Sequence, residues 1–336
     1  MTQPLALADA QARRAQPRWM RSLLGALSPA GERGRLSILI FHRVRPGLDE
    51  LFPDEEHADS FRERMLWVRD WFNVLPLEEA VAALGRRALP ARALAITFDD
   101  GYADNATVAV PIMRQLGLHA TFFVATEFVE GGRMWNDTVI EAVRRAHNEE
   151  LDLSELGLGR PSIATMEQRR QVIERLLTRL KYLPAPERQT RVECLSGQCG
   201  NRLPDDLMMT RGQLRSVASA GMGFGGHTCS HPILARLDDG MARREIAEGR
   251  EALEAIVRQP VRLFAYPNGK PRVDYTGAHV RMAKELGFVG AVSTAPGAVR
   301  TGDPVYELPR FTAWGRTPLP FGIRMAKNLL RKVAVA

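Results

Sequence analysis

The chain has 336 residues, 45% of them hydrophobic and 25% charged, an ordinary globular composition that excludes disordered, collagenous and coiled-coil proteins. No stretch reaches the ~18 unbroken apolar residues of a membrane-spanning helix, and Cys194, Cys199 and Cys229 are too few and too odd in number for a disulfide framework. The net charge of +7 is uneven, with +6 over residues 1–47, +6 over 308–336 and −5 between them. Basic ends on an acidic body argue against a nucleic-acid enzyme; they suit solvated tails or contact with an anionic membrane surface.

Residues 1–34 are Arg-rich and interrupted by Pro and Gly, which predicts a loosely attached basic arm with no signal-peptide cleavage site. Leu36–Phe41 predicts a buried strand. Residues 59–72 predict a helix with Phe61, Met65, Val68 and Phe72 on one face. A second buried strand, Ala93–Phe98, ends in Asp99-Asp100-Gly101. A helix near 106–116, stopped by Gly117, leads to a third strand at 119–124. Residues 127–215 are charged and mostly helical in pattern, an insertion in the alternation. Strands at 223–226, 261–266 and 289–293 then alternate with helices at 240–257 and 277–286. This order predicts a parallel α/β architecture, a barrel or an open sheet. In the last segment, 317–336, Phe321, Met325, Leu329 and Val333 recur at i+4 opposite Arg324, Lys327 and Arg331, a basic amphipathic helix. Arg18–Leu24 repeats the pattern, with Trp19, Leu23 and Leu24 against Arg18 and Arg21. Both stretches fit peripheral attachment to a membrane, and both fit packing on the domain.

Asp99 and Asp100 follow a buried strand. Burying two charges is costly without a bound cation, although Asp-Asp-Gly is also good turn chemistry. His227 and His231, at i and i+4, predict two rings on one face of a helical turn, within reach of one ion. Two His and one carboxylate leave a coordination position open for water, as in hydrolytic metal sites. Val261–Gly269 runs from a strand into a Pro/Gly turn whose backbone N–H groups suit an oxyanion. His42 ends the first strand and fits a general acid or a core histidine. Trp135 opens the insertion, where an indole stacks on a sugar ring or packs a lid. Tyr102 lies beside Asp100 and is a candidate wall of the site.

Thr97-Phe-Asp-Asp-Gly-Tyr102, Gly226-His-Thr-Cys-Ser-His231 and Phe264-Ala-Tyr-Pro-Asn-Gly269 resemble three successive motifs of the polysaccharide deacetylases (carbohydrate esterase family four, the chitooligosaccharide deacetylase superfamily). Leu39-Ile-Phe-His-Arg-Val44 resembles the bacterial exopolysaccharide branch, which includes the poly-N-acetylglucosamine deacetylases. The resemblance covers about residues 36–315, loosely over 127–215. It implies a distorted (β/α) barrel of about seven parallel strands over 35–316, between the arm and the C-terminal helix. It implies a divalent metal, most often Zn2+, on Asp100, His227 and His231, with Asp99 as the base that deprotonates the metal-bound water. That water attacks an N-acetyl carbonyl, and the metal and a backbone N–H near Tyr266 hold the oxyanion. The sequence departs from the family pattern twice. Ala265 stands where the third motif usually has the Arg that orients the base, and Arg310, in Leu308-Pro-Arg-Phe311, is the candidate substitute. No Leu-x-His motif lies near the C-terminus, and His42 is the candidate general acid, as in the exopolysaccharide branch.

The function so implied is hydrolysis of N-acetyl groups from amino sugars of a bacterial exopolysaccharide or its precursor. The alternatives are a deacetylase or deformylase of a lipid-linked sugar, which the basic ends fit, and an inactive saccharide-binding barrel. The partner is a glycan or lipid-linked sugar and not a nucleic acid. The expected location is cytoplasmic, peripheral at the inner membrane. Oligomeric state is not legible.

Overall fold

A computed structural model describes residues 17, 19–200, 202–312, 315–331 and 335–336. Strand β1 (Arg35–Phe41) runs parallel to β3 (Ala93–Phe98), Leu36 beside Ala93 and Phe41 beside Phe98. Both are buried on two faces, so they appear in the sequence as near-continuous apolar runs, broken only by Ser37 and Thr97 after Arg35. Parallel pairing continues through β4 (Thr121–Val124), β5 (Gly223–Gly226), β6 (Leu263–Ala265) and β7 (Gly290–Val292). The sheet then curls back on itself. Leu308 bridges Val292 and Phe311 bridges Leu39, both in parallel. The Phe311 amide donates to Ile38 O at 2.8 Å, and the Ser293 amide to Leu308 O at 2.9 Å. Residues 308–311 thus supply a seventh parallel position and close the distorted barrel that the motifs imply. Two short strands are peripheral: β2 (Asn73–Val74) beside β3, and β8 (Val299–Arg300), antiparallel on β1.

Alternation of side chains sorts the strands into two layers. Leu36, Ile38, Ala93, Ala95, Phe123 and Leu308 belong to the barrel interior. Helix α3 (Leu77–Gly85), not foreseen from the sequence, closes that interior at the N-terminal ends of the strands with Leu77, Val81 and Leu84. Leu39, Phe41, Leu94, Ile96 and Phe98 face the outer helices: α2 (Ala58–Trp71), α4 (Val110–Leu116), α8 (Arg211–Ser219), α9 (Asp239–Val257) and α10 (Gly277–Glu285). The inward parity of β3 carries on to Thr97 and Asp99, and that of Leu308 carries on to Arg310. The chain therefore aims a carboxylate and a guanidinium into the same space at the C-terminal ends of the strands, where parallel barrels hold their chemistry.

Between β4 and β5 stand α5 (Trp135–Arg145), α6 (Met166–Leu180) and α7 (Ala185–Cys199), around a core of their own that includes Val139, Val143, Val172, Leu176, Val192 and Leu195. A two-pronged ion pair of Arg144 with Asp49, at 2.8 and 2.7 Å, fastens this insertion to the loop after β1. Burial would raise the Asp49 carboxyl, but Arg144 overrides it and holds the group down at about 2.

The two ends differ from the expectation. From Trp19 the arm is not loose: α1 (Trp19–Leu27) packs on α11 (Pro318–Leu330), with Met20 against Gly322. A Cβ at Gly322 would lie 2.7 Å from the Met20 sulfur, so a larger residue there would make the Met20 side chain swing aside. Phe321, Met325 and Leu329, the stripe offered to a membrane, are buried on the domain, with Phe321 5.5 Å from the Trp67 ring centre. Burying such side chains contributes roughly 1.5–3 kcal/mol each, so intramolecular packing takes that face. Residues 1–16, Arg18 and Val333 lie outside the described residues. Among the described residues no helix is long and apolar enough to cross a membrane. The three cysteines are free thiols.

Candidate active site

Asp99 and Arg310 meet inside the barrel. The Arg310 Nη1 and Nη2 atoms each donate to one Asp99 oxygen at 2.6 Å. Nη1 also reaches Thr97 Oγ1 at 3.3 Å, Nε donates to Ser293 O at 3.0 Å, and the guanidinium lies 5.6 Å from the Phe123 ring centre. Arg310 is only 1% exposed. Burial alone would raise the Asp99 carboxyl; Arg310, with His227, overrides it and holds the group below the usual carboxylate range. Ala265 faces the same interior without bulk, and Arg310 reaches Asp99 from a different strand than the third motif provides.

Asp100 adopts φ 75°, the left-handed region that β-carbons disfavour, followed by Gly101 at φ 93°. Strain of this kind marks sites whose geometry the surroundings impose. The buried Asp100 Oδ1 has no hydrogen-bond partner. It faces His227 Nε2 at 3.5 Å and His231 Nε2 at 3.4 Å, and the three ligand atoms lie within 4.8 Å of one another. His227 Nδ1 is 2.8 Å from Ala265 O. A carbonyl only accepts, so Nδ1 carries a proton and Nε2 is the atom turned toward Asp100. Burial pushes the His231 imidazole down to about 4, so it is neutral at pH 7, whereas at His227 the neighbouring Asp99 and Asp100 outweigh burial and raise the imidazole. Burial opposes ionisation of Asp100 as well, but His231 and His227 outweigh it and the carboxyl lies well below its usual range. An orphaned carboxylate oxygen facing two imidazole Nε2 atoms, which a cation would take over from protons, fits a divalent cation.

The helical turn expected around the two histidines is absent. Residues 227–231 form a loop with Thr228 at φ 66° and His231 at φ 56°. Glu245 on α9 holds it, accepting the Cys229 and Ser230 amides at 2.9 Å each and the Ser230 hydroxyl at 2.7 Å. One turn further along α9, a Cβ on Gly249 would lie 2.6 Å from the Thr228 carbonyl carbon. The rings meet because this loop is clamped on a bare stretch of helix.

A cavity of about 340 Å3 opens above these groups, lined among others by His42, Trp135, Asn268 and Thr294. His42 sits exposed at its rim. The Asn105 side chain donates to His42 O at 2.8 Å, and Asp104 fixes Arg43 Nε at 2.7 Å and the Val44 amide at 3.2 Å. Two expected members do not reach the cavity. Tyr102 is buried below it, its hydroxyl donating to Asp137 at 3.0 Å under the Arg43 guanidinium. The Tyr266 amide donates to Val292 O at 3.3 Å, and its ring stacks on Tyr275 at 3.9 Å. Sheet pairing thus takes the amide of Tyr266 itself, out of the backbone N–H groups near it. Sequence reasoning missed Glu245, Gly249, Asn268, Thr294, Lys181 and Arg188; only the Pro-Asn-Gly turn gave a local hint, at Asn268.

The polysaccharide deacetylase family model matches residues 86–183 and 197–291, more than half of the chain. The chain belongs to the polysaccharide deacetylase family. YxkH of Bacillus subtilis (strain 168), named for the same family, is 21% identical over 278 residues, 82% of this chain and 70% of the relative. The Streptococcus pyogenes deacetylase PplD, solved in complex with acetate, is similar in structure with a TM-score of 0.57 at 19% identity, covering 87% of this chain and 97% of that one. IcaB from Ammonifex degensii gives 0.56 at 17%, covering 90% and 99%. These structures share the deacetylase fold.

Proposed function

We propose that this deacetylase is a metal-dependent amidohydrolase that removes N-acetyl groups from amino sugars of a bacterial exopolysaccharide or its precursor. The observation that carries the reading is Asp99, pinned by Arg310 beside the Asp100, His227 and His231 cluster at the floor of a cavity. A divalent cation on that cluster, Zn2+ by its N and O donors, supplies Lewis acidity to a water and to the acyl oxygen. Asp99 takes the proton of the attacking water. Arg310 keeps Asp99 ionised and fixes the direction of its oxygens. His42, at the rim, gives a proton to the departing amine nitrogen. A C–O bond forms, the C–N bond breaks, and acetate leaves with the free amino sugar. Trp135 offers a ring face to the sugar. Acetate release from N-acetylglucosamine oligomers, lost after chelation and restored by Zn2+, is the expected result; release unchanged by chelation overturns the metal assignment. His42→Ala lowers release by about 10²–10⁴-fold with bound metal unchanged.

We also place the chain at an anionic membrane surface. The support is an outward strip on the paired end helices: Trp19, Leu23, Leu319, Ile323 and Leu330 are exposed, among Arg21, Arg324, Lys327 and Arg331. Apolar side chains amid cations suit a bilayer interface. Co-sedimentation with phosphatidylglycerol vesicles, lost in Trp19→Ala/Ile323→Ser, is expected; equal binding to phosphatidylcholine alone contradicts it.

A further inference from the structure

The insertion brings cations to the catalytic cavity that the deacetylation chemistry does not use. Lys181, just after α6, and Arg188, on α7, line it beside Trp135. The Arg188 guanidinium stands 5.1 Å from the Trp135 ring centre and donates to Lys181 O at 3.4 Å. Neither side chain pairs with a carboxylate among the described residues, and burial weakens the hold of Arg188 on its proton. Lys181, Asn268 and Thr294 also line a second cavity of about 700 Å3, whose wall carries Lys270 and Arg272. These two have no carboxylate partner among the described residues either. Among the described residues the acid lining that space is Asp274: one of its oxygens accepts the Lys270 amide at 3.0 Å, and the other is buried without a partner. Four cations therefore line two cavities that share Lys181, Asn268 and Thr294, in a stretch (48–307) whose net charge is negative; the other acids lining them are Asp99, held by Arg310, and Asp100, facing His227 and His231.

We infer that the substrate carries a diphosphate next to its N-acetylated amino sugar, seated between Lys181 and Arg188 and extending toward Lys270 and Arg272. The inference rests on the deacetylase reading of the same cavity. A neutral oligosaccharide would desolvate these side chains and give them no counter-charge. A single sugar carboxylate offers one charge to four cations. A diphosphate offers more charge and several acceptor oxygens, which the planar Arg fork and the Lys ammonium bind in complementary ways. Two sources share this chemistry, a nucleoside-diphosphate sugar and a prenyl-diphosphate-linked sugar.

The test uses the full chain loaded with Zn2+ and measures binding by calorimetry and acetate release in parallel. The ligands are a neutral N-acetylglucosamine trimer, a uronate-containing trimer, a nucleoside-diphosphate N-acetylglucosamine and a farnesyl-diphosphate N-acetylglucosamine. At least one diphosphate ligand is expected to bind about tenfold or more tightly than the neutral trimer, less so at high salt. Lys181→Met/Arg188→Met is expected to abolish that ratio. Lys270→Met/Arg272→Met, at exposed positions where folding is not at stake, reduces it severalfold. The tighter of the two diphosphate ligands identifies the source. Equal binding of neutral and diphosphate ligands, a ratio untouched by both double variants, or an equal preference for the uronate trimer overturns the inference. Preferential binding without acetate release from any ligand overturns the deacetylase reading and leaves the anion site standing; acetate release without preference does the reverse.

Discussion

The floor of the cavity and its insertion wall treat buried charge in opposite ways. At the floor, Asp99 and Arg310 satisfy each other in two-pronged fashion, and Thr97 and Ser293 take up remaining donors. On the wall, Lys181 and Arg188 rest on a backbone carbonyl and aromatic faces, with no carboxylate partner among the described residues. The Asp99–Arg310 pair is satisfied before any ligand arrives, as the preorganised base we propose must be. The wall is completed only by what binds there. The fold shows the same division: the floor hangs on strands of the barrel, and the wall on helices with a separate small core.

The sharpest way to break the floor is Arg310→Met, which strands a buried carboxylate. We expect a loss of about 3–5 kcal/mol of stability and acetate release below detection, read by thermal unfolding and a coupled acetate assay. Arg310→Lys restores charge but not the fork, so it recovers part of the stability and little of the rate. A native-like rate in either variant would show that Asp99 needs no such partner.

Next in size is the support of the histidine loop. Gly249→Ala pushes on Thr228, and Glu245→Ala releases two amides and a hydroxyl. Both should weaken Zn2+ binding by about 10–100-fold, the usual effect of removing groups that position ligands. Equilibrium dialysis decides, and unchanged affinity in both would mean that the loop holds its shape unaided.

Asp137 joins the two regions, since it lies in the first turn of α5 and accepts the Tyr102 hydroxyl below the Asp100, His227 and His231 cluster. Burial raises its carboxyl from 3.8 to about 7. Between those values the unfolded chain has released a proton that the folded chain still holds. Stability should therefore fall as pH rises from about 4 to 7 and level off above. Asp137→Asn, which still accepts from Tyr102, should flatten that slope; an identical slope in the variant would assign it elsewhere.

The smallest expected effect is at the wall. Trp135→Ala should raise KM for oligosaccharide by about tenfold or less, with a melting temperature close to native. A fall in kcat at unchanged KM would instead place the indole in lid packing.

The sequence carried the floor's identity well and its construction poorly. Asp99, Asp100, His227 and His231 were legible because buried strands ending in polar clusters stand out in a globular chain. The alternation that aims Asp99 inward also aims Arg310, but the barrel closure that joins them rests on two isolated bridges, at Leu308 and Phe311, either side of a proline, too short for a periodic signal. The histidine loop was read as a helical turn because i,i+4 spacing suits both, and Glu245 and Gly249, which decide between them, lie on a different element. Tyr266 and Tyr102 lie off the cavity for a related reason: a motif position reveals neither which amide the sheet consumes nor which hydroxyl turns to a buried acid. The end helices were recognised as amphipathic, but a pattern of burial does not say whether the apolar face meets a bilayer or Met20 and Trp67.

The most direct test of the central claim is metal content and acetate release measured on the same preparations of the native chain, Asp99→Asn and Asp100→Asn. The account predicts that Asp99→Asn keeps its metal and loses release, whereas Asp100→Asn loses both. Release at the native rate by Asp99→Asn, or full metal content in Asp100→Asn, would contradict it.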